Sequence, residues 1–204
     1  MKEYLTYIYD RKPDWSVVPE AAIGCFQWED KKKYRPPAVA KMCIVRNGGI
    51  YVLLETEEKS PLTVCEKTNA PVYEDSCLEV FLKLGEEGYI NIETNSKGVY
   101  LSQFGQKRQG RVFLNEITPI EPVISPFNTN NSWGNEIYIS EELIAALYKN
   151  GCPSEFYGNF YKCGDKTEIP HYGSYAPMEG IDLGFHNPDC FAKISVKEWI
   201  NQNG

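Results

Sequence analysis

Alternation of apolar and polar residues is strongest between residues 77 and 104. Leu78, Val80, Leu82 and Leu84 fall on one side of a period of two, with Cys77, Glu79, Phe81 and Lys83 on the other. Residues 90–95 repeat the pattern, setting Ile90, Ile92 and Thr94 against Asn91, Glu93 and Asn95. Side chains of an extended strand point alternately to opposite faces, so each run predicts a half-buried strand. Aligning the apolar sets pairs Leu84 with Ile90, Leu82 with Ile92 and Val80 with Thr94, and a slip of one residue would invert them. The second face then places Lys83 beside Asn91, Phe81 beside Glu93 and Glu79 beside Asn95. One face is a core wall. The other is either a solvated surface or the lining of a cleft for a polar ligand, with Tyr73, Glu74 and Asp75 at its entrance.

Weaker alternation continues on both sides. Short strands are expected over residues 4–9, 38–46, 50–57, 99–104, 111–116, 120–125, 136–139, 156–162 and 191–196. Asn47-Gly48-Gly49 marks a hairpin turn. Ser140 can cap a short helix over 141–148, with acidic residues in its first turn and Gly151 just past its end. Residues 1–37, interrupted by Pro13, Pro19, Pro36 and Pro37, are expected to pack on the rest as a mainly irregular segment. Within them the charged run Glu29-Asp30-Lys31-Lys32-Lys33 reads as a solvated loop. No βαβ rhythm, repeat or linker is visible. The pattern predicts one domain over residues 1–204, all-β, built as a two-sheet antiparallel β-sandwich with one short helix.

Composition narrows the partners. The chain has 204 residues, 42% of them hydrophobic, and a net charge of −7. That balance argues against nucleic acid, which needs a basic stripe to displace counterions. No apolar run reaches the length of a signal peptide or a membrane span, so the expectation is no membrane and a cytoplasmic location. Seven cysteines, odd in number and without a C-x-x-C pair, point to free buried thiols rather than a disulfide framework. Fourteen Tyr and four Trp suit a β-protein, and they also suit a sugar binder, because pyranose rings stack on aromatic faces.

Candidate chemistry gathers in two places. The stretch from Gly164 to Asp189 is too long to be a plain connection, and it holds both histidines. It could form a cleft rim, with Tyr172 or Tyr175 stacking on a ring and His171 donating a hydrogen bond. Cys163, His171, His186 and Cys190 could ligate zinc, although their spacing matches no recognised pattern. The second place is the polar face of the hairpin. Glu79 and Glu93, placed diagonally, could stand at the separation a glycoside hydrolase needs, with Glu74 and Asp75 as further choices. Carboxylates and amides on a sheet also bind hydroxyl groups without cutting anything. Asp75 could equally serve the fold, accepting backbone N–H bonds where the chain enters the strand.

Three blocks, PVYEDSCLEVFLKL (71–84), GYINIETNSKGVYLSQFG (88–105) and GNFYKCGDKTEIPHYGSYAPM (158–178), resemble the family 9 carbohydrate-binding modules. They are closer still to the stand-alone family 9-like carbohydrate-binding proteins, and the resemblance runs from about residue 39 to 194. It implies a β-sandwich of jelly-roll or immunoglobulin-like kind, related to the DOMON superfamily. It also implies a module that binds a mono- or oligosaccharide without catalysis and is commonly attached to xylanases, hence xylan and carbohydrate catabolism. Relatives can hold calcium. Cytochrome relatives use a Met and a His on haem, which here would be Met178 with His171 or His186. An early aromatic plugs the base of the sandwich, a part that falls to Trp15. Two tryptophans sandwich the sugar in the family; Tyr73 stands where one is expected, and Trp133 is the candidate for the other. The binding reading therefore gives ring faces to Trp133 or Tyr73, with Tyr172 opposite. Hydroxyl contacts go to Glu74, Glu79, Asn91, Glu93 and Asn95, a fork of donors to Arg108, and a further donor to His171. The alternatives are a glycoside hydrolase using Glu79 and Glu93, and a protein-interaction domain that no longer binds sugar.

Overall fold

The structure is a computed structural model and describes residues 1–28, 33–179 and 184–199. All of the expected solvated loop at 29–33 except Lys33 lies outside the described residues, as does part of the long loop after Gly164. The chain is all-β. The N-terminal strands are β1 (Glu3–Tyr9), β2 (Glu20–Ala22), β3 (Ala38–Val45) and β4 (Gly49–Thr56). The central ones are β5 (Cys77–Gly85), β6 (Gly88–Asn95), β7 (Tyr100–Gly105), β8 (Val112–Phe113), β9 (Val123–Asn128) and β10 (Trp133–Ile139). The last are β11 (Glu155–Gly164), β12 (His171–Ser174) and β13 (Ala192–Glu198). Two helices are short, α1 (Leu114–Ile117) and α2 (Glu141–Leu147), and among the described residues no helix is long and apolar enough to cross a membrane. The Ser140 hydroxyl accepts the Leu143 N–H at 3.1 Å and so starts α2. Residues 111–116, expected as a strand, are instead the two-residue β8 followed by the turn of α1.

Two separate antiparallel sheets are not what forms. The strands join in one mixed ladder ordered β8-β7-β6-β5-β11-β13-β1-β3-β4-β10-β9, with β12 added to β11 and β2 to β3. The joint is β1, which runs parallel to both β13 and β3. The N-terminal segment, expected to be mainly irregular, thus supplies the strand that links the two halves of the sheet. Hairpin logic cannot foresee this, because β1 and β13 are far apart in sequence. The sheet curls so that its two arms face each other. Leu78, Val80, Leu82, Ile90 and Ile92 of β5 and β6 share one buried cluster with Met42, Ile50, Val52, Leu54, Ile137 and Trp133 of β3, β4 and β10. Asn135 ties the arms through polar bonds inside this core, donating to Thr94 Oγ1 at 3.1 Å and to the Asn95 carbonyl at 3.0 Å.

The β5–β6 hairpin keeps the expected faces but not the expected partners. Val80 lies opposite Ile92, Leu82 opposite Ile90, Phe81 opposite Asn91 and Glu79 opposite Glu93. The ladder is displaced by two residues from the alignment of apolar sets. A displacement of two leaves every side chain on its own face, so the alternation cannot distinguish the two registers. The turn decides. Gly85 pairs with Gly88 across a two-residue link, and an irregularity between Leu82 and Gly85 absorbs the odd residue. Gly88 has φ 152°, and a Cβ there would lie 2.8 Å from the Gly105 carbonyl oxygen. The register has a functional consequence: the two carboxyl groups stand directly across from each other.

Candidate functional site

The outer face of β5, β6, β7 and β11 forms the floor of a cleft of about 760 Å³. Alternation brings Glu79 (β5), Glu93 (β6), Leu101 and Gln103 (β7) and Cys163 (β11) to that face, and all five line the cleft. One wall is aromatic: Trp28, Tyr172 and Phe185. Trp28 meets Phe185 edge-on at 5.3 Å and leans on Tyr172 at 5.8 Å, while Phe185 stacks on Tyr161 at 4.1 Å. Tyr73, Asp165, Phe113, His186 and the two arginines Arg108 and Arg111 also line it. Tyr73 is set by its backbone, since the N–H groups of Asp165 and Lys166 donate to the carbonyls of Tyr73 and Glu74, each at 3.0 Å.

The floor carboxyls are buried, Glu79 at 2% exposure and Glu93 at 4%. The Cys163 thiol donates to Glu79 Oε1 at 3.0 Å. Burial pushes the Glu79 carboxyl well above the usual range, and the neighbouring Cys163 and Glu93 add to that push. Glu93 is raised to about 7, again by burial, partly offset by the Asn91 amide, which donates to its Oε1 at 2.8 Å, and by the charge of Arg111. Oε2 of Glu93 is buried and has no hydrogen-bond partner. The floor thus sets two carboxyl groups that burial pushes toward the protonated form side by side, with Glu93 Oε2 left as a free acceptor.

Arg111 is the cation that organises this end of the cleft. Its Nε and Nη2 donate to Asn91 Oδ1 at 2.9 and 2.6 Å, and Nη2 also reaches the Tyr89 carbonyl at 2.8 Å. The guanidinium lies 4.0 Å from the centre of the Tyr89 ring. Desolvation lowers its pKa, and the nearby tyrosine and carboxyl limit the fall. The Tyr89 hydroxyl meets His186 Nδ1 at 2.9 Å, and burial with two nearby arginines lowers the His186 pKa to about 3. His186 is neutral in the physiological range.

Of the ten residues expected at the site, Tyr73, Glu79, Glu93, Arg108 and Tyr172 line the cleft. Asn91 lies beneath the floor, fully buried, linking Arg111 to Glu93. The other four are elsewhere. Glu74 pairs with Lys166 at 2.7 Å. Asn95 is consumed by the fold: its amide donates to the Cys65 carbonyl and Asp75 Oδ2, and its oxygen accepts from the N–H groups of Lys97 and Val99. Trp133 is 1% exposed in the core between the arms, because the curl of the sheet turns that face of β10 inward. His171 is also 1% exposed and faces the core side of β11, within 2.8 Å of the buried Lys162 amine, which pairs with Glu58 at 3.0 Å. Asp75 has the structural role, accepting from the N–H groups of Val64 and Cys65 at 3.0 and 2.9 Å.

Other expected constellations are not assembled. Tyr175 is buried against Tyr4 and Phe160, and Met178 lies in the cluster of Phe81, Tyr161 and Phe191. Among the described residues Cys163, His171, His186 and Cys190 do not gather into a metal-sized group. Trp15 packs on the outside of the sheet against Tyr9, Cys43 and Val18 rather than plugging its base, and it donates to Glu136 Oε2 at 2.9 Å. The residues missed are Trp28, Gln103, Arg111, Asp165 and Phe185. Gln103 was recoverable, since it shares the parity of Leu101 on the strand after Glu93; the others sit on loops, where no period applies.

A family model described as carbohydrate-binding family 9 matches residues 10–196. No curated protein matches the sequence. Solved structures share the fold, among them these three. A candidate carbohydrate-binding protein from Bacteroides uniformis superposes with a TM-score of 0.80 at 22% identity, covering 96% of this chain and 99% of that one. A family 9 module from Caldicellulosiruptor kristjanssonii in complex with cellotriose gives 0.67 at 12% identity, covering 100% of this chain and 97% of the other. The same organism's module in complex with glucose gives 0.66 at 14%, with full coverage of both chains.

Proposed function

Because the chain belongs to carbohydrate-binding family 9, we propose that the cleft over Glu79 and Glu93 holds a small sugar or the end of an oligosaccharide, without cleaving it. One observation carries the reading: two buried carboxyl groups lie side by side beneath an aromatic wall. Carboxyl groups, Gln103 and arginine match the donors and acceptors of vicinal hydroxyls, while Trp28, Tyr172 and Phe185 give apolar faces for a pyranose ring. Glucose and cellotriose in relatives of the same fold make a glucose unit the first ligand to try. A xylose unit is the second. Binding needs no bond cleavage, because carboxyl and amide groups on a sheet face hold hydroxyl groups without cutting anything.

The test is calorimetric titration with glucose, cellotriose and xylo-oligosaccharides, for the native chain and three variants. Trp28→Ala and Glu93→Gln are expected to weaken the best ligand at least about tenfold, the cost of one buried polar or stacking contact. Trp133→Phe, on the core side of the sheet, should leave affinity unchanged. No saturable binding to any of these sugars, or equal loss in Trp133→Phe and Trp28→Ala, would refute the assignment.

A further inference from the structure

The cleft floor contains a second kind of chemistry, which shares Glu79 with the proposed sugar site. Cys77 and Cys163 face each other across the β5–β11 ladder, and Glu79 follows Cys77 two residues along on the same face. One ligand atom from each, two thiol sulfurs and a carboxyl oxygen, lie within 4.8 Å of one another. All three residues are buried, and among the described residues this is the one group of three or more Cys, His, Asp or Glu so placed. A lone buried cysteine commonly fills a small apolar gap. Two of them converging on a buried carboxyl group do not fit that role, because a carboxyl gains little from apolar surroundings.

We propose that Cys77, Cys163 and Glu79 form a binding site for a thiophilic divalent cation of the zinc class. Two thiolates and one carboxylate make a soft, mixed donor set of the kind that zinc accepts, with metal–sulfur distances of about 2.3 Å and metal–oxygen distances of about 2.0–2.2 Å. Donors around a tetrahedral ion at those distances stand roughly 3.5 Å apart; here Cys163 Sγ and Glu79 Oε1 are 3.0 Å apart and no two of the three ligand atoms are more than 4.8 Å apart. Binding displaces two thiol protons and the proton of Glu79, leaving the occupied site with one net negative charge. Glu79 and Cys163 line the cleft, so the fourth position opens toward it. Directly across the ladder from Glu79 stands Glu93, whose buried Oε2 has no hydrogen-bond partner and supplies an unused donor beside the set. The site does not depend on the sugar reading: it needs only the three ligands. An ion held there would replace the Cys163–Glu79 hydrogen bond.

The test uses the full chain, reduced and metal-free, titrated anaerobically with Co²⁺ as a spectroscopic stand-in and then with Zn²⁺. The expected result is thiolate-to-cobalt charge-transfer absorption that saturates at one equivalent and is bleached by Zn²⁺. Cys77→Ser and Cys163→Ser should each abolish the absorption, while Cys152→Ser, remote from the set, should retain it. Should either serine variant lose its folded circular dichroism spectrum, Glu79→Gln decides: it keeps both thiols and should weaken Co²⁺ at least about tenfold. Absence of the absorption in the native chain overturns the proposal. So does absorption that survives in a folded Cys77→Ser or Cys163→Ser variant, or a Glu79→Gln variant with undiminished affinity. Sugar binding plays no part in the readout, so its failure and the failure of the metal site are separate results.

Discussion

Replacing Glu93 by Gln should change how stability responds to pH more than it changes stability at acid pH. The native carboxyl titrates near 7, against an ordinary value of 4.5, because it is fully enclosed and its charge is compensated only in part by Asn91 and Arg111. A group that holds its proton more tightly when folded favours the native state while protonated. That advantage is complete below the unfolded value and is lost as pH climbs from about 4.5 through about 7. The full span is worth about 3 kcal/mol at 1.36 kcal/mol per pKa unit, and about 2 kcal/mol of it falls between about pH 5 and pH 7.5. Glu79 acts in the same direction. His186 acts oppositely, since its lowered pKa makes the native state gain stability as pH rises from about 3 toward 6.5. The native curve mixes these opposing contributions, so by itself it does not report Glu93. The difference between native and Glu93→Gln proteins removes the His186 share, because Glu93 is not among the causes of the His186 shift. Urea unfolding at about pH 5 and about pH 7.5 measures it. The variant should gain about 2 kcal/mol on the native chain between the two pH values. A difference that is constant to within about 0.5 kcal/mol would refute the burial argument for the cleft floor.

Two further substitutions probe the frame of the site. Asp75→Asn exchanges one acceptor oxygen for an NH₂ group, so either the Val64 bond or the pair from Cys65 and Asn95 is lost. A loss of about 2–4 kcal/mol in urea unfolding is expected, and a loss under about 0.5 kcal/mol would mean these bonds carry no weight. Lys162→Met strands Glu58 in the core without its ion-pair partner and should cost about 3–5 kcal/mol. Adding Glu58→Gln should restore at least half of that, and a double variant no better than the single one would show that the pair is not the cause.

Much of the polar surface was legible in the sequence. Alternation alone assigned Glu79, Asn91 and Glu93 to the face opposite Leu78, Val80, Ile90 and Ile92, and it did so because side-chain direction in a strand is a local property of the backbone. The capped start of α2 and the boundaries of β3 and β4 were legible for the same reason. Trp28 and Phe185 were not, since they lie on loops with no period to read. Arg111 was read only as the start of an expected strand, and nothing local tells that it turns inward to Asn91.

The sequence by itself thus determined the β class, the faces of the strands and the family, each of which rests on local periodicity or on ordered blocks of residues. Only the tertiary structure decided three other matters. The turn at Gly85–Gly88 chose between registers two residues apart, which brought Glu79 directly across from Glu93. The parallel insertion of β1 between β13 and β3 made one curled sheet instead of two antiparallel ones. That curl sent Trp133 into the core and left Trp28 at the cleft. The last two depend on pairings between distant segments, whose energy comes from closing the core as a whole, and the first on a turn irregularity to which a period of two is blind.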